Sequence, residues 1–351
     1  MKFDIGRYSH SFRYYLQEGS LVESITKKLH LNYNPKFDSN SFQFAIKEML
    51  NDCRYVDAYN YIYDTLSSID NNCSIQFRLW KYILQNDSEQ AFRLIGRIKC
   101  CEMHRDEALM FRYGILGGDY VETDCVRQNP YFSNMLCNKK IAVIGPGNDP
   151  DIDLDAISKS HDVIVILNYS HVGSIEQYKS NPKCKVVSYY NFNNFSRILN
   201  SAGDKQALFY EPDALVLKSK EDVQRLNKDL YDSGRARHKL DINRFLYYGS
   251  PNMIQIASFD LMQFNPQVID VYGCNFHLDK KIYREDYIGN VDMIDNKALT
   301  RSWALHNLIA QYQILYYFYK NKRINPDNML REILDLGAEG FCAKAEKFIR
   351  K

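Results

Sequence analysis

The 351-residue chain has no apolar run long enough to cross a bilayer. Stretches such as Val163 to Leu167 stop far short of the about 20 residues that a spanning helix needs. It also has no excess of charge, with 45 Lys+Arg against 43 Asp+Glu, which excludes binding nucleic acid through gross positive charge. Its nine cysteines form no C-x-x-C pair and no Cys/His cluster at zinc spacing, so they read as reduced, mostly buried thiols. The start, MKFDIGRYSHSFRYYL, puts acidic and polar residues where a signal peptide needs an apolar core. Together these absences predict a cytoplasmic chain. A hydrophobic content of 45% excludes a disordered tail and supports roughly two domains' worth of core. What is abundant is aromatic: 27 Tyr and 19 Phe.

The two halves differ in rhythm. From about Ser41 to Gly118, apolar residues fall at helical spacing with short polar breaks. Ala45, Leu50, Tyr55 and Ala58 recur loosely as Leu79, Leu84, Asp87 and Ala91, and a poorer third copy puts Leu116 where Leu84 stood. A period near 34, with a tight break at Asn86-Asp87, suggests tetratricopeptide-like helical hairpins; a plain helical bundle fits the same residues. After VRQNPYFSN come short β-branched runs separated by helical stretches: Ile141–Ile144, Val163–Leu167, Lys185–Tyr189, Ala207–Tyr210 and Val268–Tyr272. That alternation predicts a Rossmann-like α/β fold, a mostly parallel sheet with helices on both faces. The boundaries are set at residues 1–136 (helical hairpins), 137–325 (Rossmann-like, with a lid at about 278–305) and 326–351 (C-terminal helix). The last segment, Asn307 to Lys351, reads as two or three amphipathic helices interrupted at Asn325-Pro326.

Lys140 to Asn148 reads KIAVIGPGN, a buried strand entering a glycine turn, where backbone N–H groups can meet a phosphate. The dinucleotide fingerprint fails: Pro150 stands where the third glycine belongs, and DVIVILNYS ends in Asn168 rather than an acid. The turn is therefore expected to hold a nucleotide-like ligand other than NAD. Asp151, Asp153 and Asp155 spell D-x-D-x-D, but on a helix they would not share a face; acids there favour the dipole of the helix start. No metal is expected.

The order of motifs resembles the bacterial CMP-sialic acid-dependent sialyltransferases of the Campylobacter lipooligosaccharide type. The glycine turn and acidic helix start read IGPGNDPDIDLDAI, followed by HDVIVILNYS. A third strand reads KCKVVSYYN, then come YYGSPNMIQIASFD and VIDVYGCNF. His277 is followed six residues later by Tyr283, and His306 lies in WALHNLIAQYQIL beyond a variable segment. The resemblance covers about residues 138–320.

It implies an inverting, metal-independent glycosyltransferase that moves sialic acid or a related acidic keto-sugar such as Kdo from its CMP form. The acceptor would be a glycan or glycolipid of the bacterial surface, lipopolysaccharide or capsule. By resemblance His306 is the general base, Tyr283 and His277 donate to the leaving phosphate, and Gly145, Pro146, Gly147, Asn148, Asn168, Asn191, Gly249, Ser250, Arg244 and Asn275 line the donor site. His277 and Asn275 depart from the family, which carries Tyr and Asp there. A protonated His277 would add charge toward phosphate.

Those departures are what favour the alternative, a non-catalytic scaffold of helical repeats joined to a degenerate Rossmann-like domain. The helical region is where an oligomer partner, a protein partner, the acceptor or a membrane face would dock. The C-terminal AKAEKFIRK suits a short solvated helix or a peripheral contact with anionic lipid.

Overall fold

The computed structural model describes residues 37–70, 73–98, 105–147, 152–169, 174–200, 208–226, 228–278 and 296–350. The described residues from Gln43 onward belong to one compact unit. Among the described residues, five helices come first: α1 (Ser39–Asn51), α2 (Tyr55–Ser68), α3 (Ile75–Leu84), α4 (Ser88–Ile98) and α5 (Arg105–Gly114). Two short ones follow, α6 (Asp124–Gln128) and α7 (Pro130–Leu136). The sheet then begins: β1 (Lys140–Ile144), α8 (Leu154–Ser160), β2 (Val163–Leu167), β3 (Lys185–Tyr189), α9 (Phe192–Leu199), β4 (Ala214–Leu217), α10 (Lys220–Gln224), α11 (Lys228–Asp232), β5 (Ala236–His238), α12 (Met253–Leu261) and β6 (Val268–Tyr272). The chain ends with α13 (Asn296–His306), α14 (Leu308–Lys320), β7 (Asn325–Pro326), α15 (Asn328–Leu334) and α16 (Gly337–Ile349).

All seven strands are parallel in the order β5-β4-β3-β2-β1-β6-β7. The fold is α/β with an open, all-parallel sheet, as the alternating rhythm predicts. β2, VIVIL, is buried at every residue, as a strand covered by helices on both faces must be. Successive strands step from β1 to β5 in one direction; the chain then returns past β1 to place β6 on its other side. The reversal puts a crevice between the C-terminal ends of β1 and β6, the place where open α/β sheets bind ligands.

Two expected elements differ. Leu208 and Phe209, inside the run expected to be a strand, form a 3-10 turn. Both are buried in the core cluster beside β3, so burial alone accounts for their apolar character. The fourth and fifth strands are instead Ala214–Leu217 and Ala236–His238. Asn325-Pro326, expected as a break between helices, is the edge strand β7, a position that tolerates proline.

The change of rhythm near Cys137 is a change of secondary structure within one core. Trp80 of α3 donates its indole N–H to the Phe245 carbonyl at 2.6 Å and meets Tyr247 edge-on at 5.3 Å. Phe111 of α5 packs on Phe245 with ring centroids 4.7 Å apart. α2 rests against α16, where Glu346 accepts from the Val56 N–H at 2.8 Å, and Tyr55 meets Trp303 at 5.4 Å. A small part of the tyrosine excess lies here: Tyr55, Tyr247 and Tyr312 are fully buried in this seam, and each aromatic pair adds about 0.5–1.5 kcal/mol beyond the area it buries.

Candidate functional site

A cleft of about 500 Å³ lies over the C-terminal ends of the strands, within the range of small-ligand pockets. It brings together Pro146, Gly147, Asn168, Asn191, Ser250, Asn275, His277 and His306, residues more than 150 positions apart in sequence at the extremes. Tyr283, Asn148 and most of the expected lid lie outside the described residues, as does Asp151. Arg244 falls in the one-turn 3-10 helix Asn243–Phe245. Gly145 and Gly249 stand behind the cleft rather than in its lining.

The glycines after β1 are explained by the neighbouring turn. A Cβ on Gly145 or on Gly147 would sit 2.5 Å from the Gly273 carbonyl oxygen. Only glycine lets the ends of β1 and β6 approach this closely. Their N–H groups are also engaged: Gly145 donates to the Tyr272 carbonyl at 2.7 Å and Gly147 to that of Gly273 at 2.8 Å. Pro146 has no N–H. The expected phosphate cradle at these two residues is therefore closed to ligand, and the turn offers the cleft its edge instead. Asp153 caps α8 by accepting from Ala156, and Asp155 pairs with Lys159, the helix-start role anticipated for them.

A different helix start is open. α9 is capped by Asn191, whose side chain accepts from the Asn194 N–H at 2.8 Å. α12 enters the cleft with Asn252 at its N-cap and no side-chain cap. The Asn252 amide donates to Gln311 instead. Unbonded N–H groups and the positive end of the dipole make such a terminus receptive to an anion. Asn168 bridges strands, its φ at 54° and its side-chain oxygen accepting from the Asn191 N–H at 2.9 Å.

His306 is placed by a kink. It ends α13, and Asn307 turns the chain at φ 48° before capping α14 through Ala310. The turn presses on Gly249, whose φ is 81° and whose Cβ position would be 2.6 Å from the Asn307 Cβ. The His306 Nδ1 lies 3.1 Å from the Ser250 carbonyl oxygen and 3.3 Å from the Ser250 Oγ. A carbonyl can only accept, so Nδ1 carries the proton and Nε2 keeps its lone pair. Burial lowers the His306 pKa, opposed by the Ser250 bond. The imidazole is a neutral proton acceptor at pH 7.

His277 sits in a tight loop after β6, where Phe276 and His277 both have positive φ, 53° and 62°. Such residues cost about 1–3 kcal/mol each and persist where surroundings hold them. Here Asn275 accepts from the His277 N–H at 2.9 Å, and Trp303 donates to the Phe276 carbonyl at 3.2 Å. Burial, with His306 nearby, pushes the His277 pKa down to about 4. The protonated imidazole considered from sequence is thus disfavoured, and His277 offers neutral hydrogen bonds.

Amides dominate the lining, with seven Asn and two Gln, and no carboxylate is present among its described residues. Three polar atoms here are buried with no hydrogen-bond partner among the described residues: Asn243 Oδ1, Gln255 Oε1 and Asn275 Nδ2. Sequence reasoning missed Lys218, Lys239, Gln255 and Gln311, all lining the cleft. The signal for Lys218 was present, a lysine ending the apolar run ALVLK. In comparison with known proteins, no family model, no curated protein and no solved structure matches the chain.

Proposed function

We propose that the chain is an inverting glycosyltransferase that moves sialic acid, or a related acidic keto-sugar such as Kdo, from a CMP-activated donor to a surface-glycan acceptor. One observation carries the reading. His306 is held at Nδ1 with its Nε2 lone pair kept, in a switch-point cleft with an uncapped helix start and no carboxylate among the described residues of its lining.

In this reading Nε2 of His306 takes the proton of the acceptor hydroxyl as its oxygen attacks the anomeric carbon. The bond from that carbon to the phosphate oxygen breaks, and CMP leaves from the opposite face with the electron pair. The N–H groups at the start of α12 face the growing charge, with His277 and, from the sequence resemblance, Tyr283 as further donors. A monophosphate leaving group needs no metal for this step. The reaction would take place on the cytoplasmic side, before the glycan is exported.

The hairpins α2–α3 and α4–α5 are read as tetratricopeptide-like, but with Trp80 and Phe111 committed to the core shared with the sheet. That commitment of the two aromatics to the shared core weighs against a scaffold.

Thermal shift with CMP, UMP, GMP and NAD tests the ligand, and His306→Ala tests the base. CMP should stabilise the protein selectively, and the variant should bind CMP while losing transfer. Full transfer by His306→Ala would refute the mechanism, and silence from all four nucleotides would favour the scaffold.

A further inference from the structure

The cleft carries two cations that the mechanism above does not use. Lys218 directly follows β4 and Lys239 directly follows β5, neighbouring strands at one end of the sheet, and both line the cleft. Lys239 is only 8 % exposed. A lysine buried to this degree is normally paired with a carboxylate. Lys239 has no ion pair and no side-chain hydrogen bond among the described residues.

The two acids that act on Lys239 electrostatically, Asp241 and Asp260, are turned to other tasks. Asp260 is held by Arg237, the Leu240 N–H, the Gln263 amide and the Tyr189 hydroxyl. Asp241 accepts from the Asn243 N–H at 2.8 Å. The same Asp260 network fixes the backbone at Leu240, the residue after Lys239, so the lysine projects from a rigid support. Burial pushes the Lys239 pKa down to about 8, with Lys218 adding repulsion while Asp241 and Asp260 oppose. A largely buried lysine that shares the lining with a second one, with no acid among the lining's described residues, is an arrangement that an anion would complete.

We propose that Lys239, with Lys218 at its rim, forms an anion subsite at the β4–β5 end of the cleft that receives a phosphate or carboxylate group of a substrate. The subsite itself stands on these residues. It rests on the transferase reading only for which molecule carries the anion, the phosphate of the donor or an acidic group of the acceptor.

Inorganic phosphate is the first probe, titrated into wild type, Lys239→Met and Lys239→Arg and followed by thermal denaturation. Methionine keeps most of the volume and removes the unpaired charge, so unliganded Lys239→Met should melt a few degrees above wild type, which also shows that it folds. Phosphate should raise the midpoints of wild type and Lys239→Arg and leave that of Lys239→Met unmoved. Equal stabilisation of wild type and Lys239→Met, or no response from wild type, would overturn the subsite.

CMP and cytidine then distinguish the source. At least a tenfold loss of CMP affinity in Lys239→Met, with cytidine unchanged, assigns the anion to the donor phosphate. Unchanged CMP affinity with at least a tenfold rise in KM for an acidic acceptor assigns it to the acceptor. A wild type that responds to phosphate through Lys239 but ignores CMP keeps the subsite and refutes the CMP-sugar reading.

Discussion

Replacing Gly249 by alanine tests whether His306 is positioned by the turn packed against it. Gly249 has φ 81°, and an L-residue in the left-handed region costs about 1–2 kcal/mol. The added Cβ would stand 2.6 Å from the Asn307 Cβ and 3.0 Å from the His306 carbonyl carbon. Ordinary carbon contacts are about 3.5–4.0 Å, so the two turns must part by about 1 Å. Asn307 cannot yield alone, because its side chain accepts from Ala310 and donates to the Tyr248 carbonyl at 3.2 Å. Strain and overpacking together give an expected loss of about 2–4 kcal/mol in urea denaturation. The shift falls on the residue next to His306, and a misplacement of about 1 Å at a reacting group can cost 10²-fold in rate. Transfer at saturating donor should therefore fall by about that factor while CMP affinity changes little. Wild-type turnover from a folded Gly249→Ala protein would refute the positioning of His306 by this contact.

The pH profile of transfer gives a second test. A general base whose pKa is lowered by burial stays active through neutrality, and its rate falls only as pH drops through that lowered value, below the ordinary 6.5. An acid limb centred above 6.5 would contradict the neutral His306. The buried ion pair beneath β5 gives a third. Asp260→Ala would strand Arg237, which is 3 % exposed and lies between the Phe132 and Phe264 rings at 4.8 and 4.9 Å. The expected loss is about 3–5 kcal/mol by chemical denaturation, and most of it should return in the apolar double variant Arg237→Met/Asp260→Leu. If the single variant costs less than 1 kcal/mol, the pair does not support that end of the cleft.

Four strands, β1, β2, β3 and β6, were legible because each is a five-residue β-branched run between turn residues. β4 and β5 were not, for a physical reason. They are four and three residues long, and β5 buries Arg237, a residue that local patterning assigns to the surface. What permits its burial is Asp260, 23 residues further on, and no short window shows that pairing. Lys239 was overlooked with the strand that places it. The glycine turn after β1 was found, but its cause was not: the pressure on Gly145 and Gly147 comes from Gly273, and only the return of β6 to the side of β1 brings that backbone near. His306 could be singled out only by the order of motifs, since the Ser250 carbonyl that sets its tautomer lies 56 residues earlier.

The balance of 45 basic against 43 acidic residues says little about this cleft, because affinity for an anion follows local charge and desolvation rather than the total. The lining holds two lysines and two histidines against no acid among its described residues. Burial keeps His277 neutral, so the lysines supply the formal charge and the imidazoles supply directional hydrogen bonds. The amides add a complementary demand. Each offers both a donor and an acceptor, and Asn243, Gln255 and Asn275 keep two acceptors and one donor without a partner among the described residues. In the proposed reading, the lysines meet the anionic group of the donor, and the amides of the lining, each both donor and acceptor, meet its hydroxyl groups.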